Sequence, residues 1–574
     1  MQLANTNGLL METDAAKIIE TNIETKKKFG VFYTPSNVSQ ILSRWAVRSQ
    51  TDTVLEPSFG GCGFLEAVRD RFMDLGATSP IKKLCGCDND PVAFQHLSQK
   101  ISPHEKNRHF LFGDFLSFWP HDFPWQKFDA VIGNPPYVSL HNMSSDQRQE
   151  AIKAMRAGGF LLDKKASLWA YFVLHALNFI RVGGRVAWLL PGSFLHAEYA
   201  QKLRKIIEDN FHRVLLLSLG ERLFMPEGAD ESTVILLADG WKKGPAKYAI
   251  EFEFLPSIEN LGAIVSDWPS ALKTGSQLEE RSTYSLLPED VRVQLKELYR
   301  HPEVKRIGDI AKVSIGIVTG ANHFFILDKE SATRHNIPAK ALRPIFTKFQ
   351  HAAGIQLKIN ALESLVENGE RCLLLDTEEE NAKIETVRRY LDSFPEGQKN
   401  QIATFKKRSV WHQPDDGRVP DAFLSYMNNF GPRLVLNTAK STSTNSVHRV
   451  YFKQRPPKYR QKLAAISLLT TFSQLSAEIE GRCYGSGVLK HELKEAQNIA
   501  LLMPQALPLK DTNKIFTEID KLLRSGKPEH ARHLADEFIF GGLADEFDFS
   551  TITTMTNTLD KLRRIRRGAR RIKR

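Results

Sequence analysis

The sequence predicts an α/β protein, a doubly wound sheet of seven strands followed by a C-terminal mixed α+β region. Three observations predict it. Up to about residue 240, short apolar runs ending in glycine or an acidic residue alternate with helical periodicity, the pattern of a parallel sheet covered on both faces. Thr53-Val-Leu-Glu-Pro-Ser-Phe-Gly-Gly-Cys-Gly-Phe-Leu65 reads as a strand, a glycine-rich turn and the start of a helix. Beyond residue 241 the alternation stops, and basic and aromatic residues interleave instead.

Length and composition set the outer limits. A chain of 574 residues, 42% hydrophobic, has room for two or three domains with cores of their own. The net charge of +12, part of it in the run Lys561-Leu-Arg-Arg-Ile-Arg-Arg-Gly-Ala-Arg-Arg-Ile-Lys-Arg574, suits a polyanionic partner. Five scattered cysteines do not make a disulfide framework, and Cys85 and Cys87 lack the second pair that a zinc site needs. No apolar stretch is long enough to span a bilayer, and a start carrying Glu12 and Asp14 is unlike a signal peptide. A cytoplasmic protein without membrane contact is expected.

The elements follow in order. An opening helix over about 13 to 28 leads through Tyr33-Thr34-Pro35 into a second helix. The first strand ends at Glu56, followed by Pro57-Ser58 and a turn in which Gly60, Gly61 and Gly63 let a ligand approach the main chain. Glu56 would repel a pyrophosphate but suits a positively charged ligand. The second strand ends at Asp88, before Asn89, where a carboxylate accepts hydrogen bonds from ribose hydroxyls, and the third ends at Asp114, before Phe115. Any one of these acids alone also reads as a solvated loop residue or a helix cap. In register with a glycine loop, the three read as a cofactor edge.

The fourth strand stops at Gly133 and is followed by Asn134-Pro135-Pro136-Tyr137. Two prolines do not fit a strand core, so this tetrapeptide lies beyond the carboxyl end, where open α/β sheets bind ligands. The corner suits methylation of a planar exocyclic amine, whose lone pair is delocalised into its ring. The Asn134 side-chain oxygen and the Pro135 carbonyl can accept its N–H groups, while Tyr137 stacks on the ring. Residues 139 to 165 read as a polar, mobile segment over the site, and the next helix carries Leu168 and Phe172 on an apolar face, where Phe172 reads as core. Strands at 183–191, 213–219 and 232–238 complete the sheet. The loop joining the last two is too short for a crossover helix, so these two pair antiparallel.

Thr34-Pro35, Glu56-Pro-Ser-Phe-Gly-Gly-Cys-Gly-Phe-Leu65, Asp88, Gly113-Asp114 and Asn134-Pro-Pro-Tyr137, in this order, resemble the gamma-class, TaqI-type S-adenosylmethionine-dependent N6-adenine DNA methyltransferases. The resemblance implies a Rossmann-like methyltransferase sheet with S-adenosylmethionine as cofactor and no metal. It places Thr34 and Glu56 against the methionine part, Asp88 at the ribose, and Asp114 with Phe115 and Phe172 at the adenine. It also makes Phe224 a second aromatic that clamps the flipped base opposite Tyr137. The glycine loop departs from the family's commoner Asp-Pro-Ala-Cys-Gly-Ser-Gly form.

The expected domains are a catalytic domain over 1–240, a linker with helical character over 241–300, a DNA target-recognition domain over 301–510, and a helical region with a basic tail over 511–574. Ile307–Leu327 reads as strand, glycine turn and strand; its Gly316-Ile-Val-Thr-Gly-Ala-Asn322 resembles the start of recognition domains in bacterial adenine methyltransferases. From 340 to 460, Arg343, Lys348, Lys406, Lys407, Arg408, Trp411, His412, Arg433, Lys440, His448, Arg449, Tyr451 and Lys453 offer phosphate and base contacts as a group, while each taken singly reads first as an ordinary surface residue. The expectation is a monomeric prokaryotic enzyme methylating adenine in double-stranded DNA, with a cognate restriction endonuclease acting as a separate protein. Asn-Pro-Pro-Tyr also suits an RNA-base or protein-glutamine N-methyltransferase, and a DNA-binding protein that has lost transfer is the remaining alternative.

Overall fold

In the computed structural model, placement is described for residues 34–100, 109–163, 166–221, 223–224, 232–242, 250–268, 276–277, 282–414, 416–483, 487–543 and 549–567. The opening helix and Tyr33 lie outside these residues, as do Lys164, Lys165 and the tail from residue 568. The chain forms two compact units, one built mainly from residues up to Leu286 and the other from Leu287–Cys483 and Val488–Arg563.

The first unit is organised by a nine-stranded sheet. Its strands are β1 (Val54–Glu56), β2 (Leu84–Asp88), β3 (Phe110–Phe112), β4 (Phe128–Gly133), β5 (Ile180–Pro191), β6 (Arg213–Leu219), β7 (Thr233–Asp239), β8 (Glu251–Leu255) and β9 (Ser276–Gln277). They lie in the order β3-β2-β1-β4-β5-β7-β6-β8-β9. β1 to β5 run parallel, and β7 is antiparallel to both β5 and β6, as the short connection before it requires. Successive residues feed opposite layers. Leu55, Val131, Val186, Trp188 and Leu236 pack with the helix Leu168–Ala176 on one face; Val54, Ala130, Ile132, Ala187 and Leu237 pack with the helices Ser36–Ala46 and Gly63–Asp74 on the other. Period-two alternation with both sides apolar is what makes the sheet doubly wound.

Two expectations are corrected here. The sheet has nine strands rather than seven, because it runs on into the stretch expected to be a helical linker from 241. Glu251-Phe-Glu-Phe-Leu255 alternates acid with apolar, so Phe252 and Leu255 bury while β8 pairs parallel with β6. Within 139–165, a helix forms over Ser145–Ala157 where a mobile polar segment was expected. Ser144 and Gln147 make a reciprocal capping box at its start, and Ala151, Ala154 and Met155 bury along one side.

The second unit combines a five-stranded and a four-stranded sheet with helices. Ile307–Leu327 contains the expected strands, Ala311–Ser314 and Ile326–Leu327, with the short helices Ile307–Ile310 and Asn322–Phe325 added. Helices Leu509–Arg524 and Pro528–Gly541 lie where the sequence places them. The described part of the basic tail is not a free arm. A helix over Phe549–Arg567 contains it, with Leu562, Arg563 and Arg566 buried.

Candidate active site

The strand order reverses beside β1, between β2 and β4, which opens a crevice at their carboxyl ends. Glu56, Asp88 and Asn134 all fall at this edge because β1, β2 and β4 are parallel neighbours in register, with Glu56 opposite Gly86 and Leu55 opposite Val131. Asp114 follows the neighbouring edge strand β3.

Glu56 and Asp88 are buried, and Asp114 is half-buried. Burial, followed by the charge of Asp88, raises the Glu56 carboxyl well above its ordinary value, against a hydrogen bond from the Leu65 backbone. Its Oε2 has no hydrogen-bond partner among the described residues. Burial also raises Asp88, opposed by the N–H groups of Gly60 and Asp90, each 2.9 Å from its carboxylate. The Asn89 backbone N–H adds to that opposition. Asp114 is raised by burial as well and accepts the Leu116 N–H at 3.0 Å. Buried carboxylates without a cation are costly unless a ligand supplies hydroxyls or positive charge. S-adenosylmethionine, with ribose hydroxyls and a sulfonium, fits that donor set.

The glycine turn is shaped by Gly60 at φ 44° and by Cys62, which takes the left-handed conformation at φ 65° to start the helix at Gly63. Pro57 O accepts the Cys87 thiol at 3.3 Å. A Cβ on Gly63 would stand 3.7 Å from Thr34 O, so the Thr34-Pro35 segment lies against the helix start.

The amine corner adjoins this edge. Asn134 Nδ2 donates to Thr34 Oγ1 at 3.4 Å, which engages the amide NH2 with the protein; the amide oxygen is the side chain's acceptor atom. A Cβ on Gly133 would lie 3.6 Å from Glu56 Cγ and 3.8 Å from Pro57 Cδ, in ordinary contact with the acidic edge. Pro135 is buried, Tyr137 is half-buried, and the Leu168 N–H donates to Val138 O at 2.9 Å, tying the tetrapeptide to the next helix.

Three expected aromatic site residues are buried against other side chains. Phe115 is 1% exposed and packs 5.4 Å from Phe172, also buried, in a cluster with His175 and Phe179, so both rings belong to the core beneath the edge. Phe224 is fully buried and meets Tyr137 edge-on, ring centres 6.0 Å apart and planes at 76°. A purine between two parallel rings needs them about 7 Å apart, twice the carbon contact distance. In this arrangement Phe224 supports Tyr137 rather than forming a second face. Ser58 and Gly61 lie in the glycine turn, where the Gly61 carbonyl accepts Lys100 Nζ at 3.1 Å. Sequence reasoning passed over this Lys100, which also pairs with Glu66 at 2.6 Å and so ties the turn to the helix Pro91–Lys100.

In the second unit, most of the basic residues read as DNA contacts serve the fold. Arg433 spends its guanidinium on the carbonyls of Ala352, Ala353 and Gly354, and Lys453 on Gly308 O. Arg343 pairs with Asp376, Lys348 with Glu370, and His448 is buried against His491 O. Trp411 closes an aromatic cluster with Phe324, Phe325, Phe394 and Phe405.

A doubly wound sheet with an acidic cofactor edge and an Asn-Pro-Pro-Tyr corner defines the catalytic unit of a methyltransferase. Residues 17–249 match the N-6 DNA Methylase family, and 279–540 match the C-terminal domain of the type II methyltransferase M.Eco57I. The chain is 22% identical to the type II methyltransferase M.AccI of Acinetobacter calcoaceticus over 559 residues, covering 92% of this chain and 98% of that one. It is 22% identical to M.XamI of Xanthomonas campestris pv. amaranthicola, covering 82% and 85%. Among solved structures it shares its fold with the type IIL restriction-modification enzyme MmeI in complex with DNA, at a TM-score of 0.53 and 12% identity, over 98% of this chain and 78% of that one. The first part of the chain thus matches an N-6 DNA methylase domain and the second the C-terminal domain of a type II methyltransferase, and together they mark an adenine-specific DNA methyltransferase of the restriction-modification type.

Proposed function

We infer that the chain transfers a methyl group from S-adenosylmethionine to N6 of an adenine turned out of duplex DNA, and that Asn134 and Tyr137 hold that base. The observation that carries this is the contact of the two corners. Asn134 bonds Thr34, and Gly133 lies against Glu56 and Pro57, so the amine acceptors and the acidic edge share one crevice.

The residues divide the work. The Asn134 amide oxygen and the Pro135 carbonyl accept the two N–H groups of the amine and draw its lone pair out of conjugation. The rigid φ of Pro135 and Pro136 fixes both acceptors, and Tyr137, buttressed by Phe224, carries the purine face. Glu56 stands where positive charge lies, and Asp88 accepts from the ribose. Ser58, Gly60, Gly61, Gly63 and Asn89 line the path of the main chain around the ligand, with Asp114 toward the adenine. The bound cofactor supplies an electrophilic methyl on a positively charged sulfur. In-line positioning in a dry crevice then accounts for most of the rate.

The remaining reading is a gamma-class enzyme that acts as a monomer in a prokaryotic cytoplasm and marks host DNA against a separate endonuclease. Radiolabelled cofactor tests the core of it with DNA, RNA and protein offered together. Label in DNA supports it; label confined to RNA or protein, or bound cofactor with no transfer, overturns it.

A further inference from the structure

In the second unit, one surface loop is fixed with unusual thoroughness. Ile315–Gly320 leaves its strand at Ser314, and two arginines grip it from within. Arg449 donates Nε to Ile315 O at 3.1 Å, and Arg408 donates to the carbonyls of Val318 and Thr319. The Arg449 side chain is only 8% exposed and also makes a two-pronged pair with Asp416, at 2.7 and 2.9 Å. Gly316 sits so close to the neighbouring strand that a Cβ there would fall 2.1 Å from Thr444 O, and the Ile317 N–H donates to Ser443 O at 2.7 Å. Burying the Arg449 guanidinium to hold a loop is costly. Yet what the loop presents to solvent is aliphatic: Ile315 is 45% exposed and Val318 37%.

A cleft adjoins the loop through Asp416. Gly417-Arg418-Val419 form one wall, and Arg343, Lys440 and Ile359 contribute to the others, enclosing about 180 Å³. Among the residues lining it none is acidic. Arg343 is balanced by Asp376 at 3.1 Å and Arg449 by Asp416, whereas Arg418 and Lys440 are exposed and leave the cleft positive. Two aliphatic side chains, Val419 and Ile359, stand exposed at its rim.

We propose that this face seats the DNA duplex, with Arg418 and Lys440 taking backbone phosphates in the cleft and the pinned Ile315 and Val318 packing against base edges in the adjacent groove. The proposal rests on the reading of the chain as a DNA methyltransferase and names where its second unit grips DNA. The cleft is positive and of phosphate size, which matches a phosphodiester backbone. Rigid aliphatic side chains beside it match thymine methyl groups and base edges. The rigidity has a purpose in this account, since a loop fixed before binding loses little entropy on docking.

The test uses the full chain, sheared unmethylated phage DNA and a salt series. Arg418→Gln with Lys440→Gln should lower the slope of log affinity against log salt by about two, near 0.9 for each phosphate no longer neutralised. The weakening should be the same on any DNA sequence, with melting temperature and cofactor affinity unchanged. An unchanged slope, or an altered sequence preference at unchanged slope, overturns the phosphate assignment. Ile315→Ser with Val318→Ser should keep the slope but change which sites become methylated; an unaltered site pattern overturns the loop assignment. A wild-type chain that never methylates DNA sinks the underlying function, whereas a methylating wild type with indifferent variants sinks this proposal alone.

Discussion

The acidic strand ends of the first unit and the buried arginines of the second treat charge in opposite ways, although the first unit also holds the buried pair Arg185–Asp52. Along the strand ends of the first, Glu56, Asp88 and Asp114 are all raised by burial, and among the described residues none of them forms an ion pair. In the second, buried arginines meet carboxylates directly: Arg449 meets Asp416, and Arg563 lies 3.5 Å from Glu478. A paired buried charge is structural, and removing one partner is expensive. An unpaired one lowers stability by itself, so its retention marks a place where a ligand completes the set.

The comparison is broken most directly at the amine corner. Asn134→Ala should lower methyl transfer at least a hundredfold, the scale of one missing preorganised hydrogen bond, while cofactor binding measured by calorimetry stays near wild type. A variant that still methylates removes the acceptor role. In the second unit, Arg449→Ala leaves Asp416 without its partner and the 315–320 loop without an anchor. Because Asp416 is exposed and keeps the Arg418 N–H, urea unfolding should show a loss of about 1–3 kcal/mol, and no measurable loss would make this pair an ordinary surface contact.

Glu56→Gln sharpens the contrast, because its two effects have opposite signs. The folded carboxyl titrates above its unfolded value of 4.5, so its contribution to the stability of the cofactor-free protein is present at low pH and lost as pH rises through the folded value. The glutamine variant should therefore melt higher than wild type at neutral pH, while binding S-adenosylmethionine about tenfold more weakly. Wild-type affinity should also rise with pH as Glu56 ionises, and the variant's should stay flat. A variant that melts lower and binds equally well would make Glu56 a structural acid. The smallest effect belongs to the tail. Deleting residues 568–574, which carry four of the cations, should reduce the salt slope of DNA binding by up to about 0.9 for each phosphate the tail neutralises, without touching Arg563 or Arg566.

How much was legible follows the same division. The cofactor edge and the Asn-Pro-Pro-Tyr corner could be read from sequence because parallel strands deliver their last residues to one edge, so an acid or amide at a strand end has a known address. β8 and the helix over Ser145–Ala157 carry equally local signals, Glu251-Phe-Glu-Phe-Leu255 and Ser144-Ser-Asp-Gln147, but polar surroundings mask them. Phe115, Phe172 and Phe224 show what motif position leaves open: an aromatic side chain beside a site and one beneath it look alike in sequence. The basic stretch from 340 to 460 was the least legible. An arginine bound to three carbonyls, such as Arg433, and an exposed one, such as Arg418, differ only in long-range contacts.

The claim at the centre is that the chain's own corner, built on Asn134, directs the methyl to an exocyclic adenine nitrogen. Incubating the wild-type chain with duplex DNA and methyl-labelled S-adenosylmethionine, digesting the DNA to nucleosides and resolving them by mass spectrometry tests it in one step. The account predicts label in N6-methyl-2′-deoxyadenosine alone and none with the Asn134→Ala chain; label on cytosine, or on adenine regardless of Asn134, would contradict it.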